Sequence, residues 1–272
     1  MLKQRLIVGI AGAIFMIAVL FSDVRIISLI LGIMTVIGLS EIYNATGMLK
    51  KQNKLCLISY VYSFLTYIII SFVSAPGIVL ALSAVIYALF LLVYMIFNHD
   101  KISFDETASL LFQTLYVSVL FAHIILVRKL TYGNYFIWFI FITAWLSDTA
   151  AYAVGLRYGR NKLIPEISPK KTVEGAIGGL VGCVVFNLIY GAVCSIAFDL
   201  SVNFFALIMM SVFAGIMSQL GDLSASCIKR EYNLKDYSNM LPGHGGILDR
   251  FDSVLFVAPT IYYFVVIFPV IA

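Results

Sequence analysis

Charged side chains are scarce in this chain. Only 12% of its 272 residues are Asp, Glu, Lys or Arg, whereas 62% are hydrophobic, and the mean hydropathy is +1.01. Soluble globular domains contain about 25% charged and about 45–50% apolar residues. A soluble core of this length could not bury so much apolar surface, so the composition excludes a soluble globular protein.

Cysteine and histidine are also rare, with four and three residues. The cysteines have no spacing typical of a metal site and lie in or beside apolar runs, so we interpret them as small packing residues. They are Cys56, Cys183, Cys194 and Cys227. The sequence has no Ser-His-Asp or Cys-His arrangement, internal repeat or low-complexity tract. The glycines of residues 175–182 (GAIGGLVG) are expected to permit close helix packing.

Long apolar runs are abundant instead. Runs of roughly 17–25 residues recur along the whole chain, and each can cross a hydrocarbon core of about 30 Å. Since lipid offers no partner for free backbone groups, such spans must be helical. The first run follows Lys3 and Arg5 but lacks the cleavage site of a signal peptide, so we predict it as a helix. The sequence therefore predicts an all-α, polytopic integral membrane protein with about nine transmembrane helices, at 6–22, 26–43, 55–73, 78–97, 107–127, 132–154, 173–198, 203–228 and 253–271.

The basic residues divide unequally between the two sides of the membrane. With these spans, only three of the 18 Lys and Arg residues, Arg25, Arg128 and Lys129, lie on the side opposite the N-terminus. The positive-inside rule therefore predicts a cytoplasmic N-terminus and cytoplasmic loops at 155–172 and 229–252. The net charge of +4 follows from this bias, so no nucleic-acid partner is expected.

We divide the chain into two predicted regions. Residues 1–127 form an N-terminal transmembrane region with about five spans, and residues 128–272 form a C-terminal catalytic transmembrane region that contains both loops. Glu41 lies near an inner end in the first region. Nothing around it in the sequence resembles a site, so we interpret it as a structural partner or an interfacial residue.

Residues 226–252 (SCIKREYNLKDYSNMLPGHGGILDRFD) concentrate polar, charged and glycine residues between two apolar runs. Basic residues bind phosphate, carboxylates hold divalent cations, and glycines let the backbone approach a ligand, so this combination suits phosphoryl chemistry. The basic residues are Lys229, Arg230, Lys235 and Arg250, the carboxylates are Asp236, Asp249 and Asp252, and the glycines are Gly245 and Gly246.

Two further carboxylates lie where lipid is expected, Asp148 in the sixth span and Asp222 near the inner end of the eighth. An ionisable group there costs at least about 2.5 kcal/mol unless it is paired, hydrated or metal-bound. Ser226 and Lys229 follow Asp222 at helical spacing and form one stripe with it, and Arg230 adjoins the stripe. The sequence therefore predicts a functional site at the inner end of this span.

Oxygen ligands without a His or Cys cluster favour Mg²⁺ over zinc. We predict Asp222 and Asp249 as its ligands, with Asp148 and Asp252 as further ligands or as supporting residues. Mg²⁺ is expected either alone or with a second, monovalent cation.

The segment 168–175 (SPKKTVEG) precedes the seventh span. Ser168 is predicted to cap a helix whose first position is Pro169. A helix N-terminus beside Lys170 and Lys171 is a suitable triphosphate site.

Both polar stretches resemble the phosphatidate cytidylyltransferase family (CDP-diacylglycerol synthases). The family signature Ser-x-apolar-Lys-Arg, four residues, Lys-Asp-x-small, two residues, apolar-small-x-His-Gly-Gly-apolar-x-Asp-Arg-apolar-Asp is filled by 226–252 without departure. Residues 148–175 resemble a second stretch of the family. The resemblance implies a Mg-dependent nucleotidyltransferase of phospholipid biosynthesis that converts CTP and phosphatidate into CDP-diacylglycerol and diphosphate. It also implies a homodimer in the cell membrane with its active site facing the cytoplasm.

On this interpretation each residue has an expected role. His244 would donate to a phosphate oxygen or to the leaving group, or would shape the turn. The predicted catalytic residues are Asp249, Asp222, Lys229, Arg230 and His244, and the predicted substrate-binding residues are Ser168, Lys170, Lys171, Thr172, Glu174, Ser226, Lys235, Asp236, Gly245, Gly246 and Arg250.

Two alternatives stay open. A related membrane enzyme would cytidylylate an isoprenoid phosphate, because the sequence does not specify the lipid. A transporter would also carry intramembrane charges and interrupted helices, but here the charges crowd one side of the membrane and no inverted repeat is visible. The motif of the CDP-alcohol phosphotransferases, Asp-Gly…Ala-Arg…Gly…Asp…Asp, is not found.

Overall fold

The computed structural model describes residues 2–241, 243 and 245–272, with the backbone alone at 2–8 and 10. Its regular elements are helices and one antiparallel hairpin, β1 paired with β2. In chain order they are α1 (Leu2–Leu20), α2 (Val24–Ala45), α3 (Met48–Lys51), α4 (Asn53–Phe72), α5 (Pro76–Phe97), α6 (Phe104–Arg128), α7 (Gly133–Phe141), a π-helix (Ile142–Leu146), α8 (Ser147–Tyr158), β1 (Lys162–Ile164), β2 (Ser168–Thr172), α9 (Val173–Phe198), α10 (Phe204–Glu231) and α11 (Leu248–Ile267).

Eight spans in the described part of the chain are long and apolar enough to cross a membrane: α2, α4, α5, α6, the continuous segment from α7 to α8, α9, α10 and α11. The ninth predicted span is α1, whose described apolar part, Ala11–Leu20, is shorter. The prediction of an all-α polytopic membrane protein with about nine spans is therefore confirmed. The side on which the N-terminus lies stays a prediction.

The ends of the helices near the two polar stretches differ from the predicted ones. The last helix begins at Leu248 instead of 253, so Asp249 and Asp252 lie within it. Acidic residues are favourable at a helix N-terminus because they oppose its partial positive charge, although they lower the local hydropathy. At the other end of the loop, α10 extends to Glu231, so Lys229 and Arg230 lie in its last turn.

The predicted helix cap at Ser168 is wrong. Ser168 and Pro169 belong to strand β2, and α9 begins only at Val173. Thr172 has extended backbone angles, and its hydroxyl accepts a hydrogen bond from the Gly175 N–H at 3.1 Å. Pairing with β1 extends the residues before Thr172, so the cap moves to the end of the hairpin.

Contacts divide the chain into two compact units. The first unit comprises Met1–Leu126 and Tyr232–Arg250, and the second comprises Val127–Glu231 and Phe251–Ala272. The end of the predicted N-terminal region at 127 lies next to the boundary at Leu126. The loop before α11, which the sequence predicts as part of the C-terminal region, belongs by its contacts to the first unit.

Buried hydrogen bonds connect the helices of the first unit. Thr35 on α2 donates to the Tyr67 hydroxyl on α4 at 2.9 Å, and that hydroxyl donates to the Ser118 carbonyl on α6 at 2.6 Å. Tyr43 and Thr114 bring their hydroxyl oxygens within 2.6 Å of each other. Polar groups in a membrane must find partners inside the protein, and these bonds provide them.

Glycines bring α8 and α9 close together in the second unit. A Cβ atom on Gly178 would lie 2.5 Å from the Cβ of Val154, and one on Gly182 would lie 2.5 Å from the Cβ of Ala150. Larger residues at either position would push the two helices apart. These two glycines therefore have the packing role that the sequence predicts.

Candidate functional site

The hairpin places Lys171 beside the C-terminal part of α10 in the second unit. Its Nζ lies 2.5 Å from Oδ2 of Asp222, and the two side chains are 28% and 24% exposed. One turn further along α10, the Ser226 hydroxyl donates to Asp222 Oδ1 at 3.4 Å. The structure thus joins the segment 168–175 to α10, about fifty positions later in the sequence, in one ion pair.

Three aspartates form what we call the carboxylate cluster, Asp148, Asp222 and Asp252. Asp252 is 8% exposed and interacts electrostatically with Asp222, with Asp148 and with Lys229. Ser253 donates from its hydroxyl to Asp148 Oδ2 at 3.4 Å. Like charges held this close raise the energy of the fold unless cations compensate them. Lys171 and Lys229 contribute to this compensation.

The last turn of α10 presents two cations differently. Lys229 is only 7% exposed and faces the carboxylate cluster through its interaction with Asp252. Arg230 is exposed, and its Nε donates to the Ile167 carbonyl, next to β2, at 3.2 Å. Lys229 therefore contributes charge within the cluster, while Arg230 ties the end of α10 to the hairpin.

Glu174 also tethers the hairpin. Its carboxylate accepts hydrogen bonds from the backbone N–H groups of Arg160, at 3.1 Å, and Asn161, at 3.2 Å, and from the Asn161 side-chain amide at 2.8 Å. These bonds join the start of α9 to the residues just after α8. Glu174 therefore positions the segment that carries Lys171.

A π-helix sets the direction of Asp148. The segment Ile142–Leu146 ends two residues before it, and one extra residue in a helical turn rotates the following residues by about 100°. A buried amide holds this segment, because Asn187 Nδ2 donates to Thr143 Oγ1 at 2.9 Å and to Ser211 Oγ at 3.1 Å. The sequence analysis missed this support, although an Asn in the middle of an apolar run was a signal for it.

We expect Asn187→Leu to lower the free energy of unfolding by about 1–3 kcal/mol, because it removes both buried amide donors while retaining the volume of the side chain. Thermal unfolding in detergent measures this change. Ile189→Leu on the same helix is the control, since Ile189 is 56% exposed. Equal stability of the two variants would mean that the amide does not hold the π-helix.

In the first unit, Asp249 holds the loop between α10 and α11 (residues 232–247) against the start of α11. Its Oδ2 accepts hydrogen bonds from the backbone N–H of Tyr237 at 2.8 Å and of Gly246 at 2.9 Å. Gly245 has a φ of +80°, and a Cβ atom there would lie 2.8 Å from Asp249 Oδ2. Both predicted loop glycines therefore contact the aspartate that the sequence singled out.

Glu41 is the residue whose surroundings the sequence analysis missed. It is 5% exposed and accepts hydrogen bonds from the Ser238 hydroxyl at 2.7 Å, the Ile247 N–H at 3.0 Å and the Leu248 N–H at 2.9 Å. Its interpretation as a structural partner is consistent with these bonds. The neighbouring residues in the sequence do not indicate these partners, which belong to the α10–α11 loop and the start of α11.

The predicted site residues are distributed over both units. Lys235, Asp236 and Arg250 are exposed, and His244 lies outside the described residues. The first unit holds Lys235, Asp236, Gly245, Gly246, Asp249 and Arg250, and the second holds Asp148, Ser168, Lys170, Lys171, Thr172, Glu174, Asp222, Ser226, Lys229, Arg230 and Asp252.

The carboxylate cluster has the donor chemistry for a hard cation but not the arrangement of a formed site. Its ligands are all oxygen atoms, as Mg²⁺ prefers. Across the described residues, however, no group of three or more His, Cys, Asp or Glu side chains is placed to hold one metal ion. Asp222 is paired with Lys171 instead.

Comparisons with known proteins agree along almost the whole chain. A family model described as "Cytidylyltransferase family" matches residues 3–268. A phosphatidate cytidylyltransferase of Bacillus subtilis (strain 168) is 35% identical over 276 residues, which cover 98% of this chain and 98% of that protein. Proteins of the same name from Staphylococcus saprophyticus and Staphylococcus aureus (strain COL) are 37% identical over 78% of this chain and 34% identical over 95% of it, and the alignments cover 90% and 96% of those proteins.

Proposed function

Because this chain belongs to the cytidylyltransferase family, we propose that it is a phosphatidate cytidylyltransferase, which converts CTP and phosphatidate into CDP-diacylglycerol and diphosphate. The observation that carries the proposal is the Lys171–Asp222 ion pair. It brings the cation-rich hairpin and the carboxylate-bearing C-terminal part of α10 together. Relatives that carry this name align over nearly the full chain.

The reaction needs charge compensation more than proton transfer. A phosphate oxygen of phosphatidate attacks the α-phosphorus of CTP, and the bond from that phosphorus to the oxygen bridging to the β-phosphate breaks as diphosphate leaves. The attacking monoester is already ionised at neutral pH, so no strong general base is required. The difficulty is to bring two polyanions into line, which fixed cations achieve by neutralising charge and by positioning.

The described cations suit this task. Lys171 exchanges its partner Asp222 for a phosphate oxygen of CTP when the nucleotide binds, and Lys229, buried beside Asp252, stabilises the charge that develops on the transferring group. Arg230 keeps the hairpin against α10 through the Ile167 carbonyl. Binding of CTP therefore releases the carboxylate of Asp222 at the moment when the substrates arrive.

We further propose that the released carboxylate, with Asp148 and Asp252, holds Mg²⁺. The metal ion would neutralise charge on the bound phosphates. The part of Asp249 in this site stays a prediction from the sequence, as does a second, monovalent cation. A shift of the thermal unfolding midpoint of the protein on addition of Mg²⁺ and CTP, without lipid, tests metal binding independently of turnover.

The direct test is to incubate the purified protein in detergent with CTP, Mg²⁺ and phosphatidate and to measure diphosphate. Parallel reactions contain an isoprenoid phosphate instead of phosphatidate. Release with phosphatidate alone is expected. Release with the isoprenoid phosphate alone would identify the alternative lipid substrate. Nucleotide accumulation in liposomes, without diphosphate from micelles, would identify a transporter.

We propose that the site faces the cytoplasm of a bacterial cell membrane. Cysteines placed at the exposed residues Asn161 and Asn239 should resist a membrane-impermeant thiol reagent in intact cells and react in inverted vesicles. The background carries replacements of the four native cysteines, so every signal comes from the new position. Labelling of either position in intact cells would overturn the orientation, because the basic loops would then face outward.

We also propose a homodimer, which the family resemblance implies. Light scattering with correction for detergent should give a protein mass of about twice 30.2 kDa. A mass of one chain would contradict the proposal.

A further inference from the structure

Glu41 connects α2 to a segment that follows it by some two hundred residues. Its two carboxylate oxygens accept three hydrogen bonds, one from the Ser238 hydroxyl and two from the N–H groups of Ile247 and Leu248. The side chain is 5% exposed and lies on a helix that is long and apolar enough to span the membrane. A buried carboxylate is stable when several donors satisfy it, and Glu41 has them.

One of these donors, the Leu248 N–H, is the first of α11, and another, the Ile247 N–H, belongs to the residue before the helix. The first N–H groups of a helix have no partner within the helix and are usually satisfied by the side chain of the preceding residue. The residue before α11 is Ile247, whose apolar side chain cannot accept a hydrogen bond. Glu41 supplies the missing acceptor, and its negative charge is favourable at the positive end of the helix.

Glu41 also explains why residue 246 is a glycine. A Cβ atom there would overlap the Glu41 carboxylate, with Cδ and Oε2 each at 2.6 Å, and its three nearest neighbours all belong to Glu41. Real Cβ atoms do not approach other heavy atoms so closely, so one of the two residues would have to move. Gly246 and Glu41 therefore form a complementary pair.

Glu41 and Asp249 hold neighbouring groups of the same loop. Asp249 binds the N–H groups of Tyr237 and Gly246, while Glu41 binds the side chain of Ser238 and the N–H of Ile247. Both carboxylates thus hold residues 237–238 in the middle of the loop and residues 246–247 at its C-terminal end. Removing Glu41 would release the start of α11, which carries Asp249 in its first turn.

We propose that Glu41 is a positioning residue for the transfer reaction, which fixes the α10–α11 loop and the direction of Asp249 without touching the substrate. This inference rests on the proposed function for its kinetic part. Its structural part, that the loop depends on Glu41, can be tested without any substrate.

The first experiment compares Glu41→Gln, Glu41→Ala and the control Thr35→Val. Thr35 lies on the same helix and donates a buried hydrogen bond to Tyr67, without contact to the loop. We expect kcat to fall at least tenfold in Glu41→Ala. The fall should be smaller in Glu41→Gln, because glutamine keeps one acceptor oxygen, although its NH₂ group would then face the Leu248 N–H. Thr35→Val should lose stability and retain its kcat.

Hydrogen–deuterium exchange of the substrate-free proteins separates positioning from general destabilisation. Exchange of the amides at 237–248 should rise at least tenfold in Glu41→Ala and stay at the wild-type level in Thr35→Val. The proposal would be overturned if the amides of this segment exchanged in Glu41→Ala at the wild-type rate, or if the kcat of Glu41→Ala stayed within twofold of wild type. If wild-type protein releases no diphosphate, the proposed function fails, while the exchange result still decides the role of Glu41 in the loop.

A second experiment uses Gly246→Ala in two backgrounds. In the wild-type background the new methyl group meets the Glu41 carboxylate, so exchange of 237–248 should increase strongly. In the Glu41→Ala background that space is open, and the same substitution should add less than a twofold further increase. Such non-additivity indicates direct contact, whereas equal effects in both backgrounds would overturn the pairing of Glu41 with Gly246.

Discussion

Asp222→Asn should reduce diphosphate release at least a thousandfold, a loss of about 4 kcal/mol of transition-state stabilisation. Asn has nearly the same shape, so packing is retained and only the charge is lost. Asp222 pairs with Lys171, accepts a bond from Ser226 and interacts with Asp252. It therefore connects the hairpin residue Lys171 to α10 and to Asp252 of α11.

Asp199→Asn is the matched control for this variant. Asp199 is exposed and lies at the opposite end of α9 from Lys171, with a φ of 53° that Asn tolerates well. It should keep wild-type turnover. A rate of Asp222→Asn within about threefold of wild type, at saturating Mg²⁺, would remove Asp222 from the proposed metal site.

Lys171→Met should lower kcat/KM for CTP about a hundredfold, or about 2.7 kcal/mol. Methionine preserves much of the length of the side chain but cannot bind a phosphate oxygen. The adjacent Lys170 is exposed, and successive side chains of a strand point to opposite faces. Lys170→Met should therefore cost less than about fivefold, measured as diphosphate release at varied CTP.

This pair of variants distinguishes a specific contact from general basicity. If the hairpin acts only by attracting nucleotide to a positive surface, both substitutions should have similar effects, and both effects should diminish at high salt. Equal losses in the two variants would contradict the assignment of Lys171 to a CTP phosphate. A larger loss in Lys170→Met would mean that the hairpin turns over when the nucleotide binds, so that Lys170 contacts the phosphate instead of Lys171.

The all-helical membrane fold was predictable because hydropathy is a local property. A run of about twenty apolar residues has few alternatives to a membrane helix, whatever the rest of the chain does. The last helix shows the limit of this argument. Asp249 and Asp252 lower the hydropathy where α11 begins, so the predicted span began five residues too late. The helix accommodates them because its N-terminus favours negative charge.

The helix cap at Ser168 was wrong for a related reason. Ser168 and Thr172 are both good capping residues, and Pro169 suits either a first helical turn or an edge strand. Local preference does not choose between these possibilities. The pairing of Lys162–Ile164 with Ser168–Thr172 does, and this pairing also directs Lys171 towards Asp222.

The sequence alone therefore determined the class of fold and the position of the two polar stretches, because a long apolar run and a dense polar motif each consist of consecutive residues. Only the tertiary structure decided which charges are paired and what holds them. Glu41 and Asn187 stand alone in apolar segments, and their partners come from distant parts of the chain. A buried polar group is stabilised by the donors and acceptors that folding brings to it, and no local pattern specifies them.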